Sequence, residues 1–194
     1  MIYGVLGGTF DPPHNSHLQI VTNVLKTPYV DKVLVIPCLA HAFDKKPQPF
    51  IHRIAMCRLM FKNIKNTEVS DIETTMKHPG RTLELVTILT QKLKDDSFRL
   101  IAGADIYLER HKWYKFDKIK TLAPPLYFKR QGITIDDNAF NDSCLDAPPH
   151  ISSNEIREKL KKKESVTGLV NRDVLEYIFN NRLYGANRWE EKFL

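Results

Sequence analysis

Short apolar runs bounded by turn residues recur along this chain at intervals that leave room for one helix between them. No other feature constrains its fold as strongly. The runs are Ile2 to Leu6, Val33 to Pro37 in "KVLVIP", Leu100 to Ala102 in "FRLIAGAD", and a fourth in "PPLYFKR", opening behind two prolines. Between them lie segments with helical spacing of apolar residues: Leu18 to Leu25, Ile51 to Phe61, Thr82 to Leu93 and Trp113 to Leu122. Strands that alternate with helices of this length predict right-handed crossovers and a doubly wound, mainly parallel α/β sheet flanked by helices. "ITIDDNAFNDSCLDAPPH" reads as an irregular connection with one or two short strands. A helix from about Ser153 to Lys162 and a last one near Arg172 to Asn180 follow it. With 194 residues, 42% of them hydrophobic, and no repeat or linker, residues 1–194 read as one domain.

Composition narrows the function classes. Cys38, Cys57 and Cys144 are widely spaced and odd in number, which predicts reduced structural thiols rather than a disulfide framework or a zinc site. No apolar run approaches the ~18 residues that span a bilayer, and no basic segment leads into a signal core, so the expectation is a cytoplasmic protein with no membrane partner. The net charge of +6 favours anionic partners. The densest basic run, Lys159 to Lys163, has no interleaved aromatics and reads as a solvated helix face, so nucleic acid is not expected as a partner.

In a doubly wound sheet, ligands bind outside the carboxyl ends of the strands where strand order reverses. "GGTFDPPHNSHL", Gly7 to Leu18, sits at one such end. Gly7 and Gly8 allow a sharp turn and close approach of backbone to a ligand. Pro12 and Pro13 stiffen the entry to a helix whose free N–H groups and dipole suit a phosphate. His14 and His17, three apart, project from nearly one helical face, and two imidazoles aimed at a phosphoryl centre could neutralise the charge that builds up there. The plainer alternative is that His14 caps the turn and His17 packs against the sheet.

Two further motifs carry similar ambiguity. In "HISSNEIREKL", Ser152 and Glu155 fit a capping box, with Ser152 or Ser153 as N-cap; the segment is either a well-capped helix or a second grip on phosphates, with Arg157 in its first turns. In "LIAGADIYLERHKWYKF", a strand ending in Gly103-Ala104-Asp105 places a carboxylate at the sheet's carboxyl edge, within reach of ribose hydroxyls or an adenine amino group. Trp113, Tyr114 and Phe116 follow, as core or as a stacking surface for a flat heterocycle.

In this order, "GGTFDPPHxxH", "GAD" and "ISSxxIR" resemble the nucleotidyltransferase α/β-phosphodiesterase superfamily and, within it, the nicotinate or nicotinamide mononucleotide adenylyltransferases. "HRIAM" at His52, "EVSDIE" at Glu68, "HPGRTLELV" at His78 and "VNRDVLEYIFNNRLY" at Val170 extend the likeness nearly end to end. The resemblance implies a Rossmann-like fold and direct in-line transfer of the adenylyl group from ATP to nicotinate or nicotinamide mononucleotide, with Mg²⁺ carried in by ATP and no metal site of the protein's own. It implies His14, His17 and Arg157 as catalytic residues. Gly8, Thr9, Phe10, Lys46 (or its neighbour Lys45), Gly103, Asp105, Ser152 and Ser153 would bind ATP, and Thr82, Trp113 and Tyr114 the mononucleotide.

Three departures bear on substrate choice and turnover. Ser16 stands where the family's H-x-G-H has glycine, Asn154 where I-S-S-T has threonine, and Phe116 where many bacterial relatives carry a second tryptophan. Weighed against the enzyme are a relative acting on another phosphorylated acceptor and a nucleotide binder that has lost its reaction. The tail "GANRWEEKFL" after Tyr184 could dock on its own core or on a second subunit of a homo-oligomer.

Overall fold

In the computed structural model, residues 1–39, 47–129, 144–146 and 150–186 are described. The apolar runs become strands β1 (Ile2–Gly8), β2 (Lys32–Pro37), β4 (Ser97–Gly103) and β5 (Pro125–Phe128). Two short strands complete the sheet: β3 (Thr67–Val69) and β6 (Cys144–Leu145). Their order is β3-β2-β1-β4-β5-β6, and every neighbouring pair is parallel. The helices are α1 (Asn15–Val24), α2 (Phe50–Phe61), α3 (Thr82–Lys92), α4 (Ala104–Leu108), α5 (Phe116–Leu122), α6 (Ser153–Lys161) and α7 (Arg172–Asn180).

Side chains alternate across a strand, so central strands covered on both faces read as unbroken apolar runs. Val5, Leu34, Ile36, Leu100 and Ala102 face one core, packed by Leu85, Val86 and Leu89 of α3 and Ile119 of α5. Leu6, Val33, Val35 and Ile101 face the other, packed by α1, α2, α6 and α7. This is the α/β architecture predicted from the alternation. Among the described residues no helix is long and apolar enough to cross a membrane.

Four details differ from the sequence reading. The helix expected from Trp113 starts at Phe116, because Arg110–Lys112 form a single 3₁₀ turn and Lys115 takes a left-handed conformation (φ 53°) that breaks the helical path. Helix α1 begins at Asn15, three residues before its first leucine. Strand β4 ends at Gly103, and Asp105 lies in the first turn of the unforeseen α4. Strand β3 carried no apolar run to betray it; its exposed Glu68 is held by Lys32 of β2 at 2.6 Å. Of the irregular connection, residues 144–146 and 150 fall within the description, and Cys144–Leu145 form β6, one of the short strands expected there.

Candidate active site

Chain order reverses between β1 and β4: one side of the sheet runs outward through β2, the other through β5. The loops leaving the two strands therefore diverge and open a crevice at their carboxyl ends. A cavity of about 1090 Å³ lies there, lined by Gly7, Gly8 and Thr9 from β1 and its exit and by Gly103 from β4. Because each parallel strand feeds a helix at this edge, helix N-termini converge on the same space. His14 before α1, Arg81 and Thr82 at α3, Asp105 in α4 and Ser152 before α6 all line it. The positive ends of their helix dipoles make the crevice suited to anions.

The two glycines differ in use. A Cβ on Gly7 would meet nothing within 4 Å, so Gly7 leaves backbone open to the cavity. A Cβ on Gly8 would press on the Phe10 ring at 3.1 Å. Phe10, left-handed at φ 52° and 2% exposed, is not among the lining residues; its ring sits 4.8 Å from that of His17 and supports it from beneath.

His14 is the N-cap of α1, and its backbone N–H donates to His17 Nδ1 at 3.2 Å. A ring nitrogen that accepts this bond carries no proton, so the proton of the neutral His17 ring sits on Nε2. The two imidazoles lie 3.8 Å apart between centroids, and both line the cavity. The cap and the ligand-facing reading are thus compatible: one nitrogen orients the ring, and the other is a donor of fixed tautomer. Ser16, at the position of the expected glycine, is buried and also lines the cavity.

At the opposite wall, Asp105, Lys112, Trp113 and Tyr114 line the cavity with Arg81 and Thr82. Trp113 is half-buried and meets Phe116 edge-on, with centroids 6.2 Å apart. Tyr114 is 58% exposed, with the Arg81 guanidinium 5.8 Å and Lys115 Nζ 5.0 Å from its ring centre. Lys115, hydrogen bonded to its hydroxyl, draws the Tyr114 phenol below its ordinary value.

Ser152 is the N-cap of α6 and accepts from the Glu155 N–H at 3.1 Å, which settles which serine caps. Ser153 Oγ donates to the Pro12 carbonyl at 2.8 Å. Arg157 is not a lining residue; its Nη1 donates to the Asp11 carbonyl at 2.6 Å and its Nη2 to Asn154 Oδ1 at 2.9 Å. The substitution of Asn for the expected threonine thus supplies an acceptor that holds Arg157. Lys45 and Lys46 lie outside the described residues. The structure brings together eleven of the expected residues, Gly8, Thr9, His14, His17, Thr82, Gly103, Asp105, Trp113, Tyr114, Ser152 and Ser153, on one cavity, and leaves Phe10 and Arg157 behind its wall.

Two supporting residues escaped sequence reasoning. Arg53 is 1% exposed; its guanidinium donates to the carbonyls of Gln48 (2.8 Å), Thr9 (2.8 Å) and Cys38 (2.7 Å), tying the exits of β1 and β2 together. Its signal was legible: Arg53 sits in register with Cys57, Met60 and Phe61 on the apolar stripe of α2. Glu73, 4% exposed and lining the cavity, accepts from the N–H groups of Leu39 (2.7 Å) and Gly80 (3.0 Å). Burial pushes its carboxyl above the ordinary range against the pull of those donors and of Arg53. Among the described residues no three His, Cys, Asp or Glu side chains are grouped to hold a metal ion.

Comparison with known proteins agrees with this geometry. The cytidylyltransferase-like family profile matches residues 5–159. A protein of Anaeromyxobacter sp. (strain K) described as a "Probable nicotinate-nucleotide adenylyltransferase" is 37% identical over 185 residues, covering 93% of this chain and 95% of that one. The nicotinate-nucleotide adenylyltransferase of Bacillus subtilis (strain 168) is 30% identical over 93% of this chain and 97% of its own. Among solved structures, the nicotinic acid mononucleotide adenylyltransferase of Plasmodium falciparum complexed with NaAD shares the fold, with a TM-score of 0.83 at 20% identity over 96% of this chain and 98% of that one. With its switch-point cavity, its paired histidines and these relatives, the chain belongs to the cytidylyltransferase-like family, on the branch of the nicotinate-nucleotide adenylyltransferases.

Proposed function

We propose that the protein joins ATP and nicotinate mononucleotide to give deamido-NAD and pyrophosphate, a step of NAD biosynthesis. One observation carries the reading: the His14–His17 pair, Asp105 and the capped N-terminus of α6 converge on one cavity at the strand-order switch. A phosphate oxygen of the mononucleotide attacks the α-phosphorus of ATP in line. The new P–O bond forms as the bond to the bridging oxygen breaks, and its electron pair leaves with pyrophosphate. Nothing in this exchange needs a covalent enzyme intermediate. What the protein supplies is position and charge stabilisation.

Each group has a part in that task. His17, oriented through Nδ1, offers its Nε2–H to the oxygens of the α-phosphoryl group as charge collects there, and His14 adds a second donor. Gly7, with open space where a Cβ would stand, lets the backbone approach the same phosphate. Gly103 and Asp105 hold the adenosine. Ser152, Ser153 and the α6 N-terminus take the leaving phosphates, with Arg157 reinforcing them from behind. Mg²⁺ enters with ATP as part of the substrate, held by phosphate oxygens and water. The mononucleotide lies against Trp113, Tyr114 and Thr82. The cations Arg81 and Lys112 at that wall favour nicotinate, with its additional negative charge, over nicotinamide. A cytoplasmic setting is supported by Cys38 and Cys57, both free thiols.

The test is dinucleotide formation from MgATP with each mononucleotide in parallel. Product is expected in both or in the nicotinate reaction alone, with kcat/KM for nicotinate higher by roughly tenfold or more, since a site that pairs one polar group rejects its mismatched analogue. No product from either at saturating MgATP would overturn the reading.

A further inference from the structure

The loop that leads into the histidine pair is held in place from the far end of the sequence. Between Thr9 and His14 the chain makes no helix or strand, yet Asp11 and His14 are only 7% and 6% exposed. Tyr184, 173 residues away in sequence, donates its hydroxyl to Asp11 Oδ1 at 2.6 Å. The Gln48 N–H reaches the same oxygen at 3.2 Å, and Arg157 Nη1 lies 3.8 Å from Oδ2 while bonding the Asp11 carbonyl. Flanking residues are fixed from the same direction. Ser153 holds the Pro12 carbonyl at 2.8 Å, and Asn15 donates its backbone N–H to Leu169 and its side-chain amide to Gly168, each at 2.8 Å.

Neither Asp11 nor Tyr184 lines the cavity, so neither reaches a nucleotide inside it. A carboxylate taken out of water is costly unless donors surround it, and charge-assisted bonds of this kind fix geometry as well as energy. Asp11 is joined to His14 only through Pro12 and Pro13, whose rings lock φ, so a shift at Asp11 has little slack in which to die out before it reaches His14. From His14 it passes to His17 through the N–H to Nδ1 bond.

We infer that Asp11 and Tyr184 are positioning residues for the transfer step, a buried hydroxyl–carboxylate clamp that sets the placement of His14 and His17. This rests on the adenylyltransferase reading. The clamp holds across the working pH range, because burial and then the neighbouring Asp11 carboxylate push the Tyr184 phenol far above its ordinary value and keep it a donor.

The experiment compares the full chain with Tyr184→Phe, Asp11→Asn and the double variant, reading kcat, KM for ATP and the imidazole ¹⁵N resonances of His14 and His17. Tyr184→Phe is expected to lower kcat roughly tenfold with KM for ATP changed by less than about threefold, as for a small misplacement of reacting groups. In the Asp11→Asn background it should cost nothing more, because the two act as one unit. The His17 signals should lose the signature of an accepting Nδ1. Wild-type kcat in a folded Tyr184→Phe protein, or losses that multiply in the double variant, would overturn the clamp. Should Tyr184→Phe fail to fold at the assay temperature, Asp11→Asn, which keeps the phenol, decides alone: folded with unchanged kcat, it also overturns the clamp. An inactive wild type defeats the functional reading instead, and the imidazole resonances still settle the clamp.

Discussion

The two walls of the cavity are built differently. The wall made by residues 7–17 and 152–157 is held by bonds that cross the whole sequence: Ser153 to Pro12, Arg157 to Asp11, Tyr184 to Asp11, and Arg53 to Thr9 and Cys38. The wall made by residues 103–114 is built from a five-residue helix, one 3₁₀ turn, the exposed pair Lys112–Glu109 at 2.7 Å, and ring contacts: Tyr107 edge-on to Tyr127 at 5.9 Å and an exposed Tyr114 between Arg81 and Lys115. Transition-state stabilisation requires donors placed in advance, and such a network provides them. Recognition of a flat, charged ring requires contact area and charge but tolerates adjustment. In the proposed function the difference separates chemistry at the first wall from substrate choice at the second, and it can be broken at either.

The largest effect is expected at Arg53. Replacing it by alanine leaves the carbonyls of Gln48, Thr9 and Cys38 without their buried donor and opens a void beneath the β1 and β2 exits. Breaking a buried charged network of this kind costs roughly 3–5 kcal/mol. Chemical denaturation should show that loss. A stability near wild type would mean that the first wall is not held as a unit.

Next comes His17→Ala, which removes the oriented Nε2–H. Turnover is expected to fall by roughly 10²–10³, as when one preorganised donor to a developing anion is deleted, with only a modest change in ATP affinity. Single-turnover kinetics beside equilibrium ATP binding make the check. An equal loss in both would turn His17 into a binding residue and blur the contrast between the walls.

How much of this was legible before the fold was known divides along the same line. The central strands announced themselves because residues buried on both faces must be apolar, whereas "GGTFDPPHNSHL" marked a candidate site by its tight turn, stiff entry and two histidines on one face, a pattern that a plain helix cap fitted as well. Arg53 was visible only as a charge on an apolar stripe. Tyr184 and Asp11 were not visible as a pair, since nothing local links positions 173 residues apart. Nor did aromatic spacing reveal that Trp113 and Tyr114 precede their helix. That depends on Lys115 adopting a left-handed conformation, a choice that no lysine makes from intrinsic preference.

The smallest effect belongs to the second wall, and it sharpens the comparison because salt should imitate it. Lys112 lines the cavity but is half-exposed and already shared with Glu109, so its pull on the nicotinate carboxylate acts through solvent. Exposed pairs of this sort contribute ~0.2–1 kcal/mol. Lys112→Met should accordingly lower the ratio of kcat/KM for nicotinate over nicotinamide mononucleotide by roughly two- to fivefold, with kcat for nicotinate mononucleotide unchanged. At ~1 M salt the Debye length shrinks to about 3 Å, and the wild-type ratio should approach that of the variant. In the proposed transfer His17 acts by a direct hydrogen bond inside the cavity, so the kcat of the wild type should not follow the same salt curve. If kcat and the selectivity ratio fell together with salt, the two walls would share one electrostatic origin, and the division of labour between them would be lost.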